Sequence, residues 1–266
     1  MKLNKIMAFF YMGLPICIIL RMIQIGFTIN FDSGFYKEGY TNYGTAILLV
    51  IMLFCAVVIF FASRAFESPE RPPRMNFALT LVSGFAACVL LYEVGCEVLP
   101  LVMLPWQIII VKVAGLITAG YFAIFAARLK IDIKLPSIIH IVPVVYVIIR
   151  TIFTFINISS LALISDNILI MASYCFAMLF FINYAKLYNK IDTERNFRKI
   201  LATGLCSSVT ALTQSVSYFV INFVSEIQYT HTDQITNLTL LGIGLFVLSF
   251  IVSHFSADRH YTRKYE

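Results

Sequence analysis

The sequence predicts an all-α polytopic membrane protein with eight transmembrane helices, arranged as two four-helix repeats of the same orientation. The 266 residues are 60% hydrophobic and only 13% charged, which is more apolar surface than one soluble core can bury. Eight apolar windows are long enough to cross about 30 Å of hydrocarbon. Basic residues concentrate in alternate loops, and short motifs recur in the same order in both halves.

The eight predicted helices follow one another with short connections. They cover about residues 6–29, 44–63, 75–94, 106–127, 137–157, 166–187, 200–226 and 235–255. All should be α-helices, because unpaired backbone groups are not tolerated in lipid. No small-residue cleavage site follows the first window, so we interpret it as a retained helix. Residues 93–107, which contain Pro100 and Pro105, are semi-apolar and leave the start of the fourth helix open.

The basic residues predict the orientation. The proposed inner segments carry Lys2 and Lys5; Arg64, Arg71 and Arg74; Arg128, Lys130 and Lys134; Lys186, Lys190, Arg195, Arg198 and Lys199; and Arg259, Arg263 and Lys264. The outer loops carry only Lys37. By the positive-inside rule both termini are cytoplasmic, in the plasma membrane. The net charge of +6 is thus a mark of topology, and no nucleic-acid partner is predicted.

Four paired motifs indicate an internal repeat. IILRMIQIGFTIN (18–30) resembles VIIRTIFTFIN (147–157), CAVVIFF (55–61) resembles CFAMLFF (175–181), ERPPR (70–74) resembles ERNFR (194–198), and Gln107 with Gly115 shares its spacing with Gln234 and Gly242. The offsets lie between about 120 and 129 residues, which is the pattern of a duplication. We therefore predict one repeat over residues 1–130 and a second over 131–266, related by an axis along the membrane normal.

The arginines within the first and fifth windows are the principal candidates for a site. A guanidinium near the bilayer centre costs about 2.5–3.5 kcal/mol on insertion scales, and Arg21 and Arg150 lie about 12 Å and 10 Å below the outer helix ends. Either they snorkel to the headgroups, or they pair with carboxylates inside the bundle. Lys112 is a third cation in the outer half, and the candidate counter-charges are Glu93, Glu97 and Glu226.

The seventh window has a polar face that should avoid lipid. Thr203, Ser207, Thr210, Gln214, Ser217 and Ser225 recur along it at helical spacing. Small and hydroxyl residues of this kind serve close helix packing or line a solute pathway. Gln214, an amide expected to be buried on this face, keeps both interpretations open, and we place it with Arg21, Arg150, Lys112 and Glu93 as candidate ligand-binding residues.

No reactive constellation is visible. The chain has no P-loop, no H-E-x-x-H and no G-x-S-x-G motif, and no C-x-x-C pair. The sequence therefore predicts no catalytic residue, no metal site and no cofactor.

The run FDSGFYKEGY (31–40), between an arginine-containing first helix and a second apolar span, resembles uncharacterised multi-pass membrane proteins of low-GC Gram-positive bacteria. The resemblance implies a bacterial plasma-membrane protein. That group has no assigned activity, so it implies no functional residue.

Two functions compete at this point. The duplicated bundle, the outer-half cations and the polar seventh helix favour a transporter or permease-like protein with an outward-facing site for a small anionic or zwitterionic solute. The absence of a transport motif and the short cytoplasmic loops favour a membrane sensor or accessory subunit. Besides the lipid bilayer and a solute, a membrane-protein partner or a second copy of the chain would fit the second role.

Overall fold

Eight helices are long and apolar enough to cross a membrane in the part of the chain that the computed structural model describes. That part comprises residues 3–31, 35–64, 76–96, 106–128, 136–158, 165–189, 191, 196–224 and 233–265. The predicted all-α polytopic fold is confirmed. Pro100, Pro105, Glu97, Glu226 and Ser225, several of the basic loop residues, and the motif at 70–74 lie outside the described residues.

The helix bounds agree closely with the hydropathy windows. The helices are α1 (Leu3–Ile23), α2 (Thr41–Ser63), α3 (Phe77–Gly95), α4 (Trp106–Ala127), α5 (Val142–Ile158), α6 (Ser165–Asn189), α7 (Asn196–Val224) and α8 (Gln234–Tyr265). A π-helical segment, Gln24–Thr28, continues α1, and a 3-10 turn, Ser137–Ile141, precedes α5. The largest difference is at α8, which continues ten residues beyond the predicted end at 255.

Local chemistry explains where several helices begin. The Asn76 side chain accepts a hydrogen bond from the Leu79 N–H at 2.8 Å and so caps α3. Asp233 accepts from the Ile235 N–H at 3.1 Å at the start of α8. The seventh helix begins at Asn196, earlier than predicted, because the Asn196 side chain donates to the Asn183 carbonyl oxygen at 3.0 Å and anchors the first turn to α6.

The least apolar helix lies at the centre. The α7 window has a mean hydropathy of 1.2 and is 83% buried, whereas the α2 window has a mean hydropathy of 3.1 and is 28% buried. Helix α7 packs against α1, α2, α6 and α8. Polar side chains are costly in lipid, so their burial among neighbouring helices decides which helix is central.

The two halves of the chain interlock. Helix α7 of the second half contacts α1 and α2 of the first, and α3 of the first half packs along α8 of the second. Small residues permit the closest approaches: Gly242 lies against Ala86 and Val89 of α3, and Gly244 lies against Ala211 of α7. The superposition of helices 1–4 on helices 5–8, with Arg21 on Arg150, stays a prediction.

An aromatic cluster fills the bundle towards the end where α4 and α6 finish. The Phe246 ring packs edge-on against Phe122 at a centroid distance of 4.7 Å and stacks on Phe181 at 6.0 Å. Nearby, the Tyr121 hydroxyl lies 2.7 Å from Nδ1 of His140, whose ring stacks on Tyr188. These buried rings hold α4, α6 and α8 together, and His140 belongs to this packing.

An open groove of about 690 Å³ runs between α4 and α5. Its wall is aliphatic and includes Ile110, Val113, Ile117, Ile138, Val145 and Ile149. A surface of this composition suits hydrocarbon, and it offers no charge to a polar solute.

Candidate functional site: two buried arginine clusters

Arg21 lies in the last turn of α1, inside the bundle. None of its side chain is exposed, and it is the largest fully buried side chain among the described residues. It therefore does not snorkel to the headgroups. Its hydrogen-bond partners come from the π-helical segment, α6 and α7.

The Arg21 guanidinium forms an ion pair with Asp166, at the start of α6. Its Nη1 donates to Oε1 of Gln24 and, at 3.3 Å, to Oγ of Ser165. Its Nη2 donates to Asp166 and, at 3.1 Å, to Oε1 of Gln214. The Nε has no hydrogen-bond partner. One cation is thus balanced by one carboxylate and surrounded by neutral side-chain oxygens.

Gln214 connects the two charges. While its Oε1 accepts from Arg21, its Nε2 donates to Oδ1 of Asp166 at 3.1 Å and approaches Oδ1 of Asn237 at 3.5 Å. The reverse assignment of oxygen and nitrogen would point the amide N–H groups at the guanidinium, so the two charges fix the orientation of the amide. The amide dipole therefore runs from cation to anion.

The π-helical segment contributes Gln24 to the Arg21 cluster, and the Gln24 side chain also contacts the residues that follow it in the chain. Gln24 Nε2 donates to the Gly44 carbonyl oxygen of α2 at 2.6 Å and to the Tyr36 hydroxyl at 3.1 Å. The connection from the π-helical segment to α2 folds back on itself, since the Lys37 N–H donates to the Thr28 carbonyl oxygen at 2.8 Å. Tyr36 is thereby folded over the start of α2. Such π-helical turns occur frequently at functional sites. Asp32 and Gly34, in the connection that follows, lie outside the described residues.

Gly44 is required by the Tyr36 ring, because a Cβ at this position would overlap the ring atoms. Gly44→Ala should therefore displace Tyr36, break its bond to Gln24 and lower stability by about 1–3 kcal/mol. We expect faster tryptic cleavage after Lys37 and a lower unfolding temperature. Gly120→Ala in α4 is the control, since nothing lies within 4 Å of its added Cβ. Equal cleavage of the two variants would contradict this account, and Tyr36→Ala should relieve the Gly44→Ala defect.

Arg150 forms a second cluster, which joins α3, α5, α6 and α8. Its Nη2 lies 3.3 Å from Oε1 of Glu93 and donates to Oγ1 of Thr236 at 3.1 Å. The other carboxylate oxygen of Glu93 accepts from the Tyr146 hydroxyl at 2.6 Å and from the Thr239 hydroxyl at 3.2 Å. Oε1 of Glu93 has the ion pair with Arg150 but no hydrogen bond, and the network ties α5 and α8 to the end of α3.

Lys112 belongs to neither cluster by its described hydrogen bonds. Its Nζ donates to the carbonyl oxygens of Cys96 at 2.8 Å and Val94 at 3.3 Å. These are the carbonyls at the carboxyl end of α3, where a cation stabilises the helix dipole. Lys112 thus caps the helix that carries Glu93.

The two arginine clusters lie at the same end of the bundle, where α1, α3, α5 and α7 end. They adjoin at the first turn of α8, where Thr236 accepts from Arg150 and Asn237 lies beside Gln214. Both ion pairs also join the two halves of the chain, since Arg21 is paired with Asp166 and Arg150 with Glu93.

The structure brings Arg21 together with Gln214, and Arg150 together with Glu93; no described contact joins the two arginines. Sequence reasoning missed Asp166, Ser165 and Gln24. The signal for Asp166 was an acidic residue at the first position of the sixth window, which is also where the helix dipole favours a carboxylate.

The polar face of α7 extends from the Arg21 cluster into the bundle. Ser207, Thr210, Gln214 and Ser217 are all buried. Thr210 donates to the Cys206 carbonyl oxygen of its own helix at 3.0 Å, and Ser217 to the Ile18 carbonyl oxygen of α1 at 3.1 Å. The Ser207 hydroxyl has no hydrogen-bond partner. Polar groups therefore line the interior for about 15 Å along the helix axis.

These residues offer polar oxygen and nitrogen groups suited to a charged organic solute. Among the described residues, no group of three or more His, Cys, Asp or Glu side chains is placed to hold a metal ion. Comparison of the chain with protein-family models, with curated proteins and with solved structures finds no match.

Proposed function

We propose that this integral membrane protein is a carrier that binds a small anionic or zwitterionic solute at Arg21. The binding site comprises Arg21, Gln24, Asp166 and Gln214, between α1, α6 and α7. The observation that carries the proposal is the complete burial of Arg21 among polar side chains that a purely structural contact does not need. Well-packed apolar residues often replace a buried ion pair without loss of stability, so a retained pair calls for another use.

The chemistry of the site suits a carboxylate or a phosphate. A guanidinium can bind either group in a bidentate manner, and the interaction strengthens where water is excluded. Asp166 occupies that position in this structure. A solute that engages Arg21 would take its place, as in a carrier whose closed state is held by internal ion pairs.

The polar face of α7 supports a carrier over a sensor. A solute released from Arg21 would next meet Thr210 and the unpartnered Ser207 hydroxyl, one to two helical turns further into the bundle.

The Arg150 cluster has a different part in this proposal. Because Glu93 is paired with Arg150 and its Oε2 accepts from Tyr146 and Thr239, this cluster serves to hold α3, α5 and α8 together beside the site.

The proposal includes an orientation. The basic residues of the alternate segments support an orientation with both termini in the cytoplasm, and the cell in this proposal is bacterial. The end of the bundle that carries the arginines then faces the outside of the plasma membrane, and the solute enters from there.

The test is solute binding by the purified protein. A panel of small carboxylates, amino acids and inorganic phosphate is screened by thermal unfolding, since a ligand that binds only the folded state raises the unfolding temperature by an amount that increases with the ratio of its concentration to its Kd. Arg21→Lys should lower the apparent affinity for the solute at least tenfold, because lysine retains the charge but loses the bidentate geometry. Arg64→Lys is the matched control, because Arg64 is an exposed arginine outside the site, with its guanidinium 3.9 Å from the centre of the Phe60 ring.

Flux completes the test. A solute that stabilises the protein should be taken up by proteoliposomes that contain the wild type and the Arg64→Lys variant, and not by those that contain Arg21→Lys. An unchanged response in Arg21→Lys would overturn the proposal. Binding without flux would favour a sensor, and the absence of any Arg21-dependent binding would favour an accessory subunit.

A further inference from the structure

We infer that the solute is a zwitterion of the α-amino acid type, with a carboxylate for Arg21 and an ammonium for Asp166. This inference rests on the proposed carrier function and concerns the same site. It follows from the charge balance of the cluster and from the position of one amide.

The charge balance selects against a simple anion. Arg21 and Asp166 are both fully buried and form one ion pair, so this pair carries no net charge. A monoanion that bound Arg21 would leave one negative charge uncompensated in the interior, and a monocation that bound Asp166 would leave a positive one; an uncompensated buried charge is strongly unfavourable. A zwitterion satisfies both groups and leaves the balance unchanged.

The Gln214 amide shows where such a molecule would fit. Its oxygen accepts from Arg21 at 3.1 Å and its nitrogen donates to Asp166 at 3.1 Å. The amide thus presents an acceptor to the cation and a donor to the anion, a few atoms apart on one small planar group. An α-amino acid presents the same pair of functions in the same order, with full charges, and would replace the contacts that the Gln214 amide makes with the two residues.

The other neutral groups either hold the guanidinium or lie where they can contact the solute. Oγ of Ser165 and Oε1 of Gln24 already accept from Arg21 Nη1, and Oδ1 of Asn237 lies 3.5 Å from the nitrogen of Gln214. That asparagine oxygen can accept a second N–H of an ammonium that replaces the amide nitrogen. The Nε of Arg21, which has no partner, is available to the carboxylate.

The experiment compares molecules that differ only in one charge. Wild-type protein is unfolded thermally with alanine, propionate or ethylamine; with leucine, isocaproate or isoamylamine; and with phenylalanine, hydrocinnamate or phenethylamine, at equal concentrations. We expect at least one amino acid to raise the unfolding temperature, and the acid and amine of the same set to have apparent affinities at least tenfold weaker.

A charge-changing variant then reverses the preference. Asp166→Asn leaves Arg21 without its counter-charge, so the matched acid should bind better than the amino acid and should stabilise the variant more than it stabilises the wild type. Glu38→Gln is the control, an exposed carboxylate on the loop before α2, and it should keep the wild-type preference.

The outcomes separate this inference from the proposed function. Acids that stabilise the wild type as well as their amino acids do, in an Arg21-dependent manner, would overturn the zwitterion and leave the anion carrier standing. An amino-acid response that Asp166→Asn does not change would also overturn it. If no acid, amino acid or phosphate gives an Arg21-dependent response, both fail. The wild-type comparison needs no variant, so it decides the matter even if Asp166→Asn does not fold.

Discussion

Asp166→Leu is expected to lower the stability of the folded bundle by about 3–5 kcal/mol, because it leaves the Arg21 guanidinium buried without its counter-charge. The double variant Arg21→Met with Asp166→Leu should recover most of that loss, since it removes both charges and fills the space with apolar atoms. Reversible unfolding in mixed micelles would measure both values. The structure predicts this asymmetry from the complete burial of both partners.

A double-mutant cycle compares the loss of stability in the double variant with the sum of the losses in the two single variants. Asp166→Leu, Arg21→Met and the double variant should show a coupling energy of several kcal/mol for residues in one network. Additive losses would mean that the two side chains are not paired in the folded protein. The same cycle separates stability from binding: the double variant should fold and yet show no solute response.

Phe246→Ala is expected to have the second large effect, a loss of about 3–5 kcal/mol. The ring is fully buried and packs on Phe122 and Phe181, so its removal leaves a cavity among rigid rings that cannot close it. In lipid, lost packing contacts are the main cost, since the hydrophobic effect does not drive association of helices there. Thermal unfolding and the yield of folded protein would measure it.

Phe155→Ala is the matched control for this cavity. Phe155 is 60% exposed on α5, where lipid can fill the space that the ring vacates. It should lower stability by less than about 1 kcal/mol. Equal losses at Phe155 and Phe246 would contradict the packing described for the aromatic cluster.

Hydropathy and length were sufficient to predict the eight helices, because a membrane-spanning segment must be apolar over a fixed length. The composition of the seventh window also indicated that α7 avoids lipid, and its polar spacing identified Gln214. These features depend on local sequence and on the bilayer, and on nothing else in the chain.

The partners of the charged residues depend on how the helices are arranged, which local sequence does not encode. Arg21 pairs with a residue 145 positions away, and Glu93 pairs with Arg150 on a helix that is not its neighbour in sequence. Lys112 was grouped with the arginines by depth alone, whereas its described hydrogen bonds go to the carboxyl end of α3. Gln24 was read as part of a continuous α-helix, and the π-helical turn is what directs it to Gly44.

The pairing of Arg21 with Asp166 also has a consequence for biosynthesis. The two residues are separated by 145 positions, and a ribosome that adds about 5–20 residues per second needs roughly 7–30 s to reach the second one. Throughout that interval the nascent first helix carries an uncompensated guanidinium. The cost of about 2.5–3.5 kcal/mol for that charge is then carried by the apolar residues of α1 alone, and we expect it to be relieved only after α6 has been made.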